Sequence, residues 1–287
     1  MNKVFNQQQI QLNGLTFNIV CEGAKDAPLI ILLHGFPECW LTWEAQIQPL
    51  VKAGYRVMAP DQRGYNLTDK PKSIDDYRID ILASDVEAMR LYAGVEKLHL
   101  VGHDWGAAVA WWYAMHNGDK LYSLTVLNVP HPLAFAKTLK RNKKQLLKSW
   151  YMFFFQIPKL PELMLAVGNF KMAKRSLIQS SNKGAFSPQV LSGLTTAWSQ
   201  KGAITGMLNW YRAALRRPVR ASQKQVTCPT RILWGENDIA LTKEMAQLST
   251  QYCDSVELTY YPDATHWLSH DKPEVVTSEI IRFCDAH

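Results

Sequence analysis

Three side chains stand at the ends of strand-like runs in an order suited to nucleophilic catalysis. They are Asp104 in "LVGHDWGAAVA", Asp238 in "LWGENDIAL" and His266 in "DATHWLSHDKPE". Asp104 is the centre of a Gly-x-Asp-x-Gly corner, with an apolar run entering and an Ala-rich run leaving. A strand–turn–helix corner of this kind holds its middle residue in a strained backbone, so the side chain projects from the turn. Its glycines, Gly102 and Gly106, let the strand and helix pass close together. Serine at that position would attack a planar carbonyl after losing a proton. A carboxylate is already ionised at neutral pH, because an unperturbed Asp titrates near ~3.9. It can attack a saturated carbon from behind its leaving group, leaving an ester on Asp104. That ester then needs water, and water needs a base.

His266 is the expected base, and Asp238 the group that fixes its tautomer and stabilises the imidazolium. The chain order nucleophile, acid, histidine is the one such corners keep. An Asp helix cap in a glycine-rich turn would write the same five residues as the corner. A lone Asp or His at a strand end is usually a loop residue. The joint match of all three favours a site. His270, four residues on, is a weaker candidate for the base. Backbone N–H groups of Phe36, in "HGFPE", and Trp105 are the expected oxyanion hole. Pro37 leaves open a cis Phe36–Pro37 bond.

Such a site needs elements to hold it. "QIQLNGLTFNIV" (9–20) reads as two strands about an Asn-Gly turn. "LIILLHG", "YRVMAPD", "LHLVGHD" and "LYSLTVLNV" read as buried strands, with helical spacing between them. "DDYRIDILASDVEAMRLYAG" reads as one amphipathic helix stopped by Gly94. Alternation of this kind predicts an α/β fold with a mostly parallel central sheet and helices on both faces. His34, Asp61, Asp104 and Asn128 fall at the C-terminal strand ends, the edge where open α/β sheets bind ligands. From 131 to 222 no buried strand is legible, and alternation resumes at Gln223. The expected organisation is a core in two parts, 1–130 and 223–287, with a helical cap at 131–222.

Of 287 residues 47% are hydrophobic, enough for a substantial core, and the net charge is +7. Much of the excess lies in "KTLKRNKKQLLK" (137–148) and "RAALRRPVR" (212–220). No nucleic-acid motif accompanies these runs, so they read as a solvated helix face rather than a nucleic-acid or lipid site. The five cysteines are widely spaced with no CxxC, against a disulfide framework or zinc site. No apolar run reaches the ~20 residues of a membrane span, and the N-terminus carries no signal-like apolar region. These features predict a cytoplasmic protein needing no cofactor or metal. They leave the oligomeric state unread.

The stretches "LLHGFPECWLTW", "APDQRGYNLTDKP", "VGHDWG", "LWGENDIAL" and "ATHWLSHDKPE" resemble, in order, the α/β-hydrolase superfamily in its epoxide hydrolase branch. The resemblance spans nearly the whole core, and Ala107, where many relatives carry glycine, is a small departure. It implies a helical cap with two tyrosines holding the epoxide oxygen. "WYMFFFQIP" places that role on Tyr151 and "LNWYRAALR" on Tyr211. The implied reaction converts a small apolar epoxide and water to a vicinal diol. A tyrosine hydroxyl, neutral at pH 7, protonates the alkoxide as the ring opens. Phe36, Trp105 and the run around Phe153–Phe155 suggest an apolar pocket, or the three phenylalanines pack the cap on itself. A haloalkane or haloacetate dehalogenase would use the same Asp, His and relay, with the Trp105 indole toward the halide. A non-catalytic binding protein on the same fold would need none of the three.

Overall fold

The computed structural model describes residues 5–287; the reading of the extreme N-terminus lies partly outside them. Strands β1 (Gln7–Leu12) and β2 (Leu15–Glu22) form a hairpin closed by Asn13 and Gly14, both at positive φ (51° and 74°). A turn with both central residues left-handed matches the strand twist, and Asn-Gly is the pair that enters it most readily. The β-α alternation then lays down β3 (Leu29–Leu33), β4 (Arg56–Pro60), β5 (Leu98–His103), β6 (Leu121–Leu127), β7 (Thr230–Gly235) and β8 (Val256–Tyr261). The sheet order is β1-β2-β4-β3-β5-β6-β7-β8. The β1–β2 and β2–β4 pairings are antiparallel and every other pairing is parallel. β3 and β5 are buried along their whole length, which explains their unbroken apolar sequences.

Helices α1 (Glu44–Lys52), α2 (Ile79–Ala93) and α3 (Trp105–Asn117) connect the first parallel strands. The expected single helix from Asp75 to Gly94 is in fact two pieces. A 3₁₀ turn covers Ile74–Tyr77, Arg78 is extended (ψ 146°), and α2 starts at Ile79. Ser73 caps the 3₁₀ turn by accepting from the Asp75 N–H, so local capping chemistry sets an earlier, separate start. Gly94 ends α2 at φ 71°, as the sequence predicts.

Between β6 and β7 lie six helices: α4 (Pro132–Arg141), α5 (Lys143–Lys148), α6 (Trp150–Phe154), α7 (Leu160–Ser180), α8 (Pro188–Trp198) and α9 (Ala203–Arg216). α7 is broken at Val167–Phe170, where Gly168, Asn169 and Phe170 turn left-handed. Indole N–H groups fasten this segment to the sheet side. Trp210 donates to the Arg63 carbonyl (2.9 Å) and Trp198 to that of Pro37 (2.5 Å). The solvated reading of the second basic run fails at Arg212, which is buried. Its guanidinium meets Glu162 at 2.7 Å and the carbonyls of Phe155 and Ile157, each at 3.1 Å. This clamps the end of α6 and the start of α7 onto α9. The chain closes with α10 (Glu244–Ser249), the short α11 (Leu268–Asp271) and α12 (Pro273–Asp285).

Candidate active site

The site grows from the β5–α3 corner. Asp104 sits between the two elements at φ 49°, ψ −124°, a conformation L-residues rarely adopt. The glycines around it are demanded by space. A Cβ on Gly106 would strike the carbonyls of Leu33 and His34, and one on Gly35 would overlap the Asp104 side chain itself. β3, β5 and α3 therefore converge on Asp104 as only glycine permits. The loop after β3 is aimed by His34, whose Nδ1–H donates to the Gly35 carbonyl (3.0 Å) while Nε2 accepts from the Gln62 N–H (2.9 Å). The following Phe36–Pro37 bond is cis. The Phe36 N–H donates to Asp104 Oδ1 at 2.6 Å. Trp105 opens α3, so its amide has no partner one turn back within the helix.

His266 follows β8 and Asp238 follows β7, in the positions the sequence predicts. His266 Nδ1 donates to Asp238 Oδ2 at 2.7 Å, and Nε2 stands 3.5 Å from Asp104 Oδ2. Asp238 is buried and amply paired. Its Oδ1 accepts from the amides of Ala240 (2.7 Å) and Leu241 (2.8 Å), and its Oδ2 also from Asn128 Nδ2 (3.0 Å). Burial alone would lower the His266 proton affinity. The charges of Asp238 and Asp104 outweigh it and push His266 up to about 10. Burial would raise both carboxylates, and His266 instead holds each below the ordinary range.

Asn128 is noticeable in the sequence only as a polar strand end. It turns left-handed at φ 52°, which ends β6. Its Oδ1 accepts from the Gly235 N–H (2.9 Å) while its Nδ2 also reaches the Gly235 carbonyl (3.1 Å). It thus ties β6 to the turn that carries Asp238. The competing His270 belongs elsewhere: its Nε2 meets Glu38 Oε1 at 2.6 Å. Glu38 is buried, with Oε2 3.8 Å from His103 Nδ1. His103 Nε2 donates to the His266 carbonyl at 2.8 Å, so a buried acid–imidazole group backs His266 from behind. Burial, with the charge of His266, lowers His103 to about 4, so it is neutral. Nothing in the spacing of Glu38, His103 and His270 announces this cluster. Asp61, another strand-end residue, is a loop anchor, accepting from the Trp40 N–H (3.1 Å) and from Asn18 (2.7 Å).

A cavity of about 340 Å³ opens over Asp104 and is lined by Trp105, Tyr151, Met152, Phe135 and Tyr211, among others. The rings of Tyr151 and Tyr211 lie 5.9 Å apart. Tyr211 packs edge-on to Trp105 (5.0 Å) and Phe36 (5.2 Å). Burial, with the charge of Asp104, pushes both phenols well above their usual value, so both are neutral. The sequence leaves Phe153–Phe155 open between lining the pocket and packing the cap on itself. None of the three lines this cavity. Phe155 packs on Phe36 and Tyr211, whereas Phe153 is exposed. Only one side of α6 faces the interior.

Comparison with known proteins agrees with this architecture. The profile of the alpha/beta hydrolase fold family matches residues 28–273. An AB hydrolase superfamily protein of Bacillus subtilis, YfhM, is 40% identical over 276 residues, covering 96% of each chain. Human epoxide hydrolase 4 is 38% identical over 282 residues, covering 96% of this chain and 77% of its own. A solved structure of an epoxide hydrolase from hot-environment metagenomes superposes with a TM-score of 0.88 at 30% identity, covering 99% of this chain and 100% of that one. The chain is therefore a hydrolase of the alpha/beta hydrolase fold family, and within it belongs to the epoxide hydrolases.

Proposed function

We propose that this protein opens an epoxide to a vicinal diol through an ester on Asp104, with residues 131–222 acting as the cap over the reaction. The observation that carries the reading is the continuous chain Asp238–His266–Asp104 beneath two neutral tyrosines. Asp104 Oδ2 attacks one epoxide carbon as the C–O bond breaks. The alkoxide takes a proton from Tyr151 or Tyr211, leaving a buried phenolate. Esterification also removes the Asp104 charge, one of the two charges that hold the proton on His266. The imidazolium proton then returns to the phenolate, and His266 becomes a base at the step that needs one.

Neutral His266 takes a proton from water, and hydroxide adds to the Asp104 ester carbonyl. The Phe36 and Trp105 amides face the oxyanion. The intermediate collapses, and the departing diol oxygen takes its proton from His266. The remaining proton, on the Asp104 acid, passes to His266 and restores the starting pair. The balance is one epoxide and one water to one diol. Five thiols with no disulfide among the described residues fit a reducing compartment.

The test joins an assay to a trap. Wild type should form diol from an aromatic epoxide and release no halide from haloalkanes. His266→Gln should be alkylated but fail to turn over, so a peptide containing Asp104 should gain the substrate mass. Halide without diol would move the chemistry to dehalogenation, and a turned-over epoxide with no trapped adduct would sink the ester.

A further inference from the structure

One segment of the molecule is left unexplained by the reaction. Residues 131–180 hold ten Lys and Arg against a single Glu, so this stretch alone is more positive than the whole chain. The one Glu, Glu162, is spent on the buried Arg212. Lys148 reaches the Asp238 carbonyl (2.9 Å), but Lys140, Arg141, Lys143, Lys144, Lys159 and Lys171 are exposed and enter no salt bridge among the described residues. The same segment exposes its apolar side chains. Among the described residues seventeen large apolar side chains are exposed, and eleven of them fall between Leu146 and Ile178. Leu147 is 74% exposed, Val167 68%, Trp150 63% and Phe153 57%. Scattered apolar residues at a surface are ordinary, but eleven within one helical segment, interleaved in the chain with exposed lysines, mark a contact surface.

Positive charge interleaved with Trp, Phe and Leu on a helical surface fits the boundary between lipid headgroups and acyl chains. We infer that the exposed face of α5, α6 and the first part of α7 docks onto an anionic lipid bilayer. The basic rim would meet the headgroups while Leu147, Trp150 and Phe153 enter the acyl boundary. A second copy fits worse, because a two-fold contact would set this positive surface against itself. Nucleic-acid interfaces are polar and leave exposed aliphatic groups unburied. α6 would then face two ways, with Tyr151 and Met152 on the cavity and Trp150 and Phe153 on the membrane.

Vesicles of phosphatidylcholine, with and without phosphatidylserine, test this by co-sedimentation with the purified protein. Wild type should pellet with the serine-containing vesicles only, and less as salt rises. Lys143→Gln with Lys144→Gln should weaken partitioning about twenty-five-fold, since each lysine near an anionic surface contributes roughly a factor of five. Leu147→Ser, Trp150→Ser and Phe153→Ser together should abolish pelleting at unchanged charge, with an unchanged thermal midpoint showing an intact fold. Pelleting of either variant like wild type would overturn the proposal, as would absence of pelleting. So would a solution dimer that the triple apolar variant converts to monomer.

Discussion

Asp104 and His266 are each held in a state that the other creates. A carboxylate buried alone would be protonated, and an imidazole buried alone would be neutral. Together with Asp238 they form a buried charge group whose proton affinities diverge. The stability consequence has a definite sign. The folded value of His266, about 10, lies above its ordinary 6.5, so its contribution is complete below pH about 6.5 and is lost as pH rises through about 10. The thermal midpoint of wild type should therefore fall more steeply between neutral pH and pH about 10 than that of His266→Gln. Parallel curves for the two proteins would place the proton elsewhere. The tyrosines predict a kinetic effect instead. Tyr151→Phe and Tyr211→Phe should each slow Asp104 alkylation in single-turnover experiments, and the double variant should lose about 10²–10⁴-fold, the usual range for general acid catalysis. Unchanged alkylation in both single variants would remove them from the reaction.

At the scale of elements, the geometry around Asp104 is a packing problem solved by glycine. The β5–α3 corner can approach β3 only because Gly106 presents no side chain to the Leu33 and His34 carbonyls. Backbone cannot move aside as a flexible side chain can. Gly106→Ala is expected to destabilise the protein by about 2–3 kcal/mol in urea unfolding, the upper range for overpacking, and to misplace Asp104 in the fraction that folds. A loss below ~0.5 kcal/mol would show that α3 can shift without cost. The glycines, the Asn-Gly hairpin and the Gly94 helix stop were legible in the sequence because each meets a local backbone need. The separate 3₁₀ turn before α2 was not. The apolar spacing runs through Arg78, and only the Ser73 cap decides that the first turn stands apart.

For the whole molecule, the decisive feature is the helical segment brought over the sheet edge. Its Tyr151 and Tyr211 are 60 residues apart in the chain, yet their rings lie 5.9 Å apart beside one cavity. The cavity is mostly apolar, so apolar aryl epoxides should show kcat/KM values at least about tenfold above those for a small polar epoxide such as glycidol. Equal values would mean that the cavity does not hold the substrate. The sequence by itself determined the α/β order, the corner at Asp104 and a short set of candidate partners for it, Asp238 with His266 ahead of His270. Those depend on residue type and chain order, which periodicity and strand ends expose. Tertiary structure alone decided that His266 rather than His270 meets Asp238, and that Asn128 secures that acid. It alone showed that Arg212 is buried and that Phe153 is not. Each of these rests on which groups meet across long stretches of chain, and a one-dimensional pattern carries no record of that meeting. The physical reason is that burial and pairing energies depend on three-dimensional neighbours, while local sequence dictates only what the backbone can do nearby.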